Sequence, residues 1–265
     1  MSRTRERLVL AARLTRQDPR VLGDYLGLSL RSRLGKDAGH ERTAVPDSVT
    51  LNQALTRIGD WDRGPALERL AAFSVPRLSD ARDATARQMA SDDNLATLVY
   101  ALVRAHRPRA VVETGVATGV TSAHALAALE DNGGGRLHSI DLPPRDLYAS
   151  GAVAREIPSD LRGRWSYHLG ASRRLLPAVL ERTTGGTRIF LHDSDHGYVN
   201  MRWELAAAWR ALAPGDWILA DDVNLHDAFA DFAAEAGDPA WYVDQRTQGG
   251  LTGVLRKGGA SRLSA

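Results

Sequence analysis

Cysteine is absent from all 265 residues. That excludes disulfide staples, a thiolate nucleophile and cysteine-based zinc sites, and it is consistent with a reducing, cytoplasmic setting. Long apolar runs are missing as well. The longest near the N-terminus, Leu8 to Ala12, is too short for a signal-peptide core, and nothing approaches the roughly 18 residues of a membrane span. Charge of one sign is not in excess, since the net charge is only +2, so no nucleic-acid partner is expected. Repeats and low-complexity tracts are lacking too. What remains is a chain with 43% hydrophobic residues, enough at this length for a substantial core.

From about residue 91 the sequence alternates between two periodicities. Leu95, Leu98, Val99, Leu102 and Val103 share one helical face behind the cap candidates Ser91 and Asp92, and Pro108 stops them. The strand "RAVVETG" runs through a glycine turn into the helix "TSAHALAALED". The turn "NGGG" then precedes the strand "RLHSIDL". "WSYHLG" reads as a strand and "SRRLLPAVLER" as a helix, despite Pro177. "TRIFLHD" is a strand, "YVNMRWELAAAWRAL" a helix, "PGDWILADD" a turn and strand, and "HDAFADFAAEA" a helix. "AWYVDQRT" and "GLTGVLRK" form a closing hairpin. This order predicts a Rossmann-like, doubly wound α/β fold. Its seven-stranded sheet would be mostly parallel, with one antiparallel strand at an edge.

Residues 1–90 differ. They carry helical patterns and no convincing strand, and read as a helical extension to a domain over 91–265. The basic amphipathic pattern over 5–16 has a narrow apolar face without aromatics. A cap over the sheet, or a homodimer contact, suits it better than a membrane surface.

Candidate chemistry gathers at the ends of the predicted strands. "VVETGVATG" puts Glu113, Gly115 and Gly119 between a strand and a helix, with Thr118 and Ser122 alongside. Glycine there lets the backbone approach a ligand, and the helix start presents free N–H groups. Asp141 ends the next strand, where a carboxylate can take both ribose hydroxyls of an adenosine. Ala117 breaks the G-x-G-x-x-G spacing, which counts against a nicotinamide dinucleotide. Asp193 and the pair Asp221-Asp222 end two later strands. Three carboxylates converging there would need a shared cation, and hard oxygen ligands suit Mg²⁺ or a similar ion. The structural alternative is that Asp193 caps the following helix and Asp222 a turn. Successive strand residues point to opposite faces, so Asp221 and Asp222 can both ligate only if the chain turns there. Asp195 suits the loop, His192 a core position against a helix, and Tyr198 and His226 the rim, where packing and substrate wall are the two alternatives.

Together "ETGVATG", "IDL" and "FLHDSDHGYVNMRWELAAAWRALAPGDWILADDV" resemble the class I S-adenosylmethionine-dependent methyltransferases. More narrowly, over about 91–257, they resemble metal-dependent O-methyltransferases, including those acting on sugar hydroxyls of natural products. The resemblance implies that Asp193, Asp221 and Asp222 hold Mg²⁺ and that His196 is the catalytic base. Glu113, Gly115 and Asp141 would seat S-adenosylmethionine, with Gly170, Ala171 and Ser172 near the adenine. It implies a small-molecule hydroxyl acceptor, and the Asp-Asp pair favours a sugar over a catechol. A nicotinamide-dependent oxidoreductase and a non-catalytic binding protein of the same fold remain alternatives.

Overall fold

Strands buried on both sides carry apolar residues of both parities, and this chain sorts them cleanly. Val111, Leu137, Ile189, Leu191, Trp217 and Leu219 enter one core cluster, while their neighbours Val112, Ile140, Phe190, Ile218 and Ala220 enter the other. The alternation is the period-two pattern of a sheet covered on both faces. The computed structural model describes residues 18–33, 46–59, 61–73, 92–247 and 249–259. The expected helix over 5–16 and the cap candidate Ser91 lie outside the described residues.

In chain order the elements are α1 (Arg20–Arg33), β1 (Ser48–Val49), α2 (Leu51–Arg57), α3 (Arg63–Ala72) and α4 (Asp93–His106). There follow β2 (Ala110–Thr114), α5 (Val120–Asp131), β3 (Arg136–Asp141), α6 (Arg145–Ser150), a 3-10 turn (Ser159–Arg164) and β4 (Trp165–Leu169). Then come α7 (Ser172–Arg182), β5 (Arg188–His192), α8 (Tyr198–Ala211), β6 (Trp217–Ala220), α9 (Ala228–Ala236), β7 (Ala240–Asp244) and β8 (Leu251–Arg256). Asp92 caps α4 by accepting from the Asn94 N–H at 2.8 Å, and Arg107 ends the helix in the left-handed region at φ 44°, just before Pro108. Helix α7 runs through Pro177 without interruption.

The sheet order is β1-β7-β8-β6-β5-β2-β3-β4. Every neighbouring pair is parallel except those of β8, which runs against both β6 and β7. The α/β fold and the closing hairpin are as the sequence predicts. The reversed strand lies two places in from the edge, inside β7 and β1, because its two sides complete ladders with β6 and β7. The eighth strand corrects the reading of residues 1–90 as strandless: Ser48 and Val49 pair with Tyr242 and Val243. Ala54, Leu55, Ile58 and Ala66 from α2 and α3 join the same apolar layer as α4 and α5, while α7, α8 and α9 cover the opposite face. Among the described residues no helix is long and apolar enough to cross a membrane.

At the N-terminal ends of the strands a buried ion pair fixes the spacing of β5 and β6. Asp216 accepts from the Arg188 backbone N–H at 2.8 Å, from Arg188 Nε at 3.1 Å and from the Ala213 N–H at 2.8 Å. Its side chain is only 3% exposed and that of Arg188 only 5%. Removing one partner of a buried pair strands the other's charge. Asp216→Ala is therefore expected to lower unfolding stability by about 3–5 kcal/mol in a denaturant titration; a loss below about 1 kcal/mol would show that the pair does not hold this end of the sheet.

Candidate active site

The strand order reverses between β2 and β5, and in sheets of this kind the crevice beyond the strand ends at such a point receives ligands. Gly115 follows β2 at φ 88°. Its N–H donates to the Ile140 carbonyl at 2.8 Å, and a Cβ there would overlap the Asp193 carbonyl, so only glycine lets the turn and the end of β5 approach this closely. Gly119, at φ 97°, begins α5, and a Cβ on it would meet Ile157 Cγ1 at 2.7 Å. Between them Ala117 sits at φ 48°, a conformation that costs a residue with a Cβ roughly 1–2 kcal/mol. The turn is braced from outside: the Ala117 and Thr118 carbonyls accept from the Ala154 and Glu156 N–H groups, and Thr118 Oγ1 donates to Glu156 at 2.7 Å.

Glu113 and Ser122, both candidates for ligand contact, bond each other. Ser122 Oγ donates to Glu113 Oε1 at 2.5 Å, Ser139 Oγ also donates to that oxygen, and Trp165 Nε1 supports Ser139 at 2.7 Å. Burial pushes the Glu113 carboxyl up to about 7, against the pull of both hydroxyls. Asp141 lies at the end of β3 with its carbonyl bonded to the Gly170 N–H at 2.8 Å. Burial first, and then the charge of Glu113, raise its carboxyl to about 8. The buried Tyr167 hydroxyl lies beside this carboxyl and pulls it down, but neither it nor Asp141 Oδ2 has a partner within ordinary hydrogen-bond geometry. A buried carboxylate oxygen with nothing to accept fits a ligand hydroxyl.

The loop carrying Gly170, Ala171 and Ser172 meets α1. Asp24 Oδ2 accepts from the Ala171 N–H at 3.0 Å and from Arg174 Nη2 at 2.7 Å, and Asp18 pairs with Arg174 at 3.2 Å. Tyr25 donates to the Pro143 carbonyl at 2.6 Å, and Val21 and Tyr25 pack on Leu142, Tyr148 and Leu169. Helix α1 thus lies across the loops that follow β3 and β4.

The acidic end forms because the parallel ladder continues one residue past β5 and β6. The Asp193 N–H donates to the Thr114 carbonyl and that of Asp221 to the His192 carbonyl, both at 2.9 Å. Strand β6 stops at Ala220, and Asp222 turns the chain at φ 51°, which meets the condition that alternation imposes on the acidic pair. Ligand atoms of Asp193, His196 and Asp221 lie within 4.8 Å of one another. His196 Nε2 is 3.8 Å from Asp193 Oδ1 and 3.7 Å from Asp222 Oδ2, so Asp222 reaches the group from the histidine's side. Burial and the neighbouring Asp221 hold Asp193 well above the usual carboxylate range, and burial with Asp222 lifts Asp221 to about 6. Burial, with the charge of His192, brings His196 down to about 4. Crowded carboxylates that resist ionisation, beside an imidazole that resists protonation, form a donor set that suits a divalent cation.

The rim residues support this loop. His226 Nε2 donates to the His196 carbonyl at 2.6 Å while its Nδ1 accepts from the Ala228 N–H at 3.3 Å. Tyr198 packs edge-on against His226 at 5.5 Å and donates to Asp231 at 2.6 Å. Exposed Asp195 accepts from the Gly197 N–H at 3.1 Å, a loop role. Two further residues carried no sequence signal. Gln245 donates to Asp221 and, at 3.2 Å, to Thr252 Oγ1, but it follows β7 in the turn of the closing hairpin and sits in no acidic motif. Glu204 looks like an ordinary helix residue, yet it is fully buried and accepts from Thr114 at 2.5 Å, His192 Nδ1 at 2.7 Å, Ser194 at 2.9 Å and Asn200 at 3.1 Å.

Comparisons with known proteins agree with the fold. Residues 112–223 match a family model described as a methyltransferase domain. The chain is similar in structure to the O-methyltransferase TomG of Streptomyces achromogenes, which is involved in tomaymycin synthesis and was solved with S-adenosylmethionine. That match has a TM-score of 0.53 and 20% identity, and covers 72% of this chain and 95% of TomG. It is also similar to an O-methyltransferase of Bacillus cereus solved with S-adenosylhomocysteine, with a TM-score of 0.51 and 15% identity over 81% of this chain and 94% of that one. Comparison with curated protein sequences gives no match. The fold is that of the Rossmann-like methyltransferases.

The raised carboxyls have a consequence for stability without ligand. Asp141 and Glu113 are ionised in the unfolded chain near neutrality but bind protons in the fold up to about 8 and about 7. A group with a raised folded pKa stabilises most when protonated and loses that contribution as the pH climbs through the folded value. His196, lowered to about 4, acts in the opposite sense only below its ordinary value near 6.5. The melting temperature of the ligand-free chain is thus expected to fall from pH 6.5 to 8, and to fall less in Asp141→Asn. Equal slopes in calorimetry would rule out Asp141 as the source.

Proposed function

We propose that the chain is an S-adenosylmethionine-dependent O-methyltransferase that takes a hydroxyl of a sugar or glycosylated small molecule, with Mg²⁺ or a similar cation at the acidic end. The observation that carries this reading is the grouping of Asp193, His196 and Asp221, with Asp222 Oδ2 3.7 Å from His196, beside the glycine turn of a methyltransferase fold. Asp141, with its unpartnered buried oxygen, would accept from the ribose hydroxyls, and Gly115 and Gly119 would let the backbone approach the cofactor. The loop from Gly170 to Ser172 would border the adenine, and α1, tied to it through Asp24, would cap that end of the site. Bound S-adenosylmethionine supplies an electrophilic methyl group on its sulfonium. A divalent cation held by Asp193, Asp221 and Asp222 would lower the pKa of a coordinated hydroxyl.

The chain's own residues handle the proton. A sugar hydroxyl is a poor nucleophile until its proton leaves, so a base must stand beside the acidic group. His196 stands there, with Nε2 turned towards Asp193 and Asp222 and its backbone anchored by His226. Neutral imidazole at Nε2 would take the hydroxyl proton as the oxygen bonds to the methyl carbon and the carbon–sulfur bond breaks. Tyr198 and His226 would line the acceptor's side of the loop.

Two measurements test the reading. In titration calorimetry S-adenosylhomocysteine should bind and NAD should not, and Asp141→Ala should weaken binding by about 1–3 kcal/mol through lost charge-assisted hydrogen bonds. Binding of NAD alone would sink the methyltransferase reading in favour of an oxidoreductase.

The second is methyl transfer from labelled cofactor to a panel of sugar and catechol acceptors. Chelator should abolish turnover and Mg²⁺ restore it. His196→Ala should cut kcat roughly 10²–10⁴-fold, the usual effect of a positioned base, while S-adenosylhomocysteine affinity stays unchanged. Full activity in excess chelator would reject the metal, near-normal kcat in the variant would reject the base, and transfer to catechols alone would reject the sugar acceptor.

A further inference from the structure

We propose that Glu204 is the positioning residue of this site, a single buried carboxylate that holds the loop bearing Asp193 and His196 in its working geometry. The inference rests on the proposed methyl transfer and adds a residue to it. Glu204 lies on α8 with no exposed surface, and an isolated charge there would be very costly. Its cost is met by donors from separate elements. Oε2 accepts from Thr114 Oγ1, at the end of β2, and from His192 Nδ1, at the end of β5. Oε1 accepts from Ser194, which directly follows Asp193, and from Asn200 in the first turn of α8. Burial alone would raise this carboxyl; the charge and hydrogen bond of His192, with Ser172 and Thr114, outweigh it and hold it at about 2.

Two paths lead from Glu204 to the reacting end. Through Oε1 it fixes the loop backbone, since Asn200 Nδ2 also donates to the Asp195 carbonyl at 3.0 Å. Asp193 and His196 flank the segment so tied. Through Oε2 it fixes the His192 ring, which packs edge-on against the His196 ring with centroids 5.6 Å apart and planes at 88°. A ring held from below and a backbone held from the side leave His196 little freedom to swing from Asp193 and Asp222. Positioning to within about an ångström is what proton transfer requires, and looseness of that size costs on the order of 10²-fold in rate.

The test uses the full chain. Glu204→Gln keeps the shape but replaces one accepting oxygen with a donor, so one pair of partners loses its acceptor. Because that variant risks misfolding, a second one, Ser194→Ala/Asn200→Ala, cuts only the path to the loop and leaves the carboxylate bonded to Thr114 and His192. The double variant is expected to lower the melting temperature, because a buried carboxylate oxygen loses both its donors, and to lose at least 10-fold in kcat while S-adenosylhomocysteine affinity stays within twofold, a split that a merely structural role would not produce. Histidine-selective ¹⁵N NMR of the ligand-free chain supplies a readout apart from activity: the His196 ring signals should be single in the wild type and split or broadened in the double variant. A kcat within twofold of wild type, or superimposable histidine spectra, would overturn the proposal. Absence of transfer by the wild-type chain would remove the proposed reaction and leave the NMR comparison standing, so the two failures are distinguishable.

Discussion

The repulsion between carboxylates at the ends of β5 and β6 is the constraint around which the rest is arranged. Ionised together, two unit charges about 4 Å apart near a protein surface would repel by roughly 4 kcal/mol, and after burial this is what keeps Asp193 from ionising. A chain left to itself would separate Asp193 from Asp221. It cannot, because each is bonded through its N–H to the last carbonyl of a neighbouring strand, and those ladders continue parallel strands buried on both faces. The energy that holds the acids together is therefore spread through the apolar layers on either side of the sheet, where burial of each large side chain contributes about 1.5–3 kcal/mol. The site is crowded because the sheet is stable.

The same logic accounts for where the backbone is strained. Ala117 and Asp222 adopt left-handed conformations, one in the glycine turn after β2 and the other directly after the acidic pair begins. Strain of this kind persists only where the surroundings over-determine it, and it concentrates at functional sites. Asp222 gains from it: the turn brings its carboxylate back to the group that alternation would have sent it away from. At Ala117 the carbonyl bond from Ala154 holds the conformation, and the packing of its methyl group on Leu147 and Ala152 offsets part of the cost.

Three kinds of support converge on the acidic end. Gln245 and Thr252 come from the hairpin, Glu204 from a helix behind the sheet, and His226 from the loop after β6. The described N-terminal residues divide similarly, with β1, α2 and α3 built into the sheet and its apolar layer while α1 crosses the loops after β3 and β4. Among the described residues before residue 90, part belongs to the sheet and part lies across loops at a strand end.

Local pattern determined a good deal. Strand and helix periodicity, glycine at Gly115 and Gly119, and acids just beyond apolar runs specify a parallel sheet with chemistry at its carboxyl ends, since each signal lies within a few neighbouring residues. The two-residue strand β1 was not legible, because a pair of residues has no period and gains its identity from β7. Nor was the inward place of β8, because a hairpin's sequence sets which strands pair with each other and not which one faces β6. Glu204 and Gln245 escaped for the same reason. A carboxylate on a helix or an amide past a strand becomes a supporting residue only when distant segments bring it donors or an acid. Glu204 meets Thr114 across 90 residues of chain, and Gln245 meets Asp221 across 24. Spacing within a motif is a property of the chain, whereas the partners of a buried polar group exist only once the layers have packed.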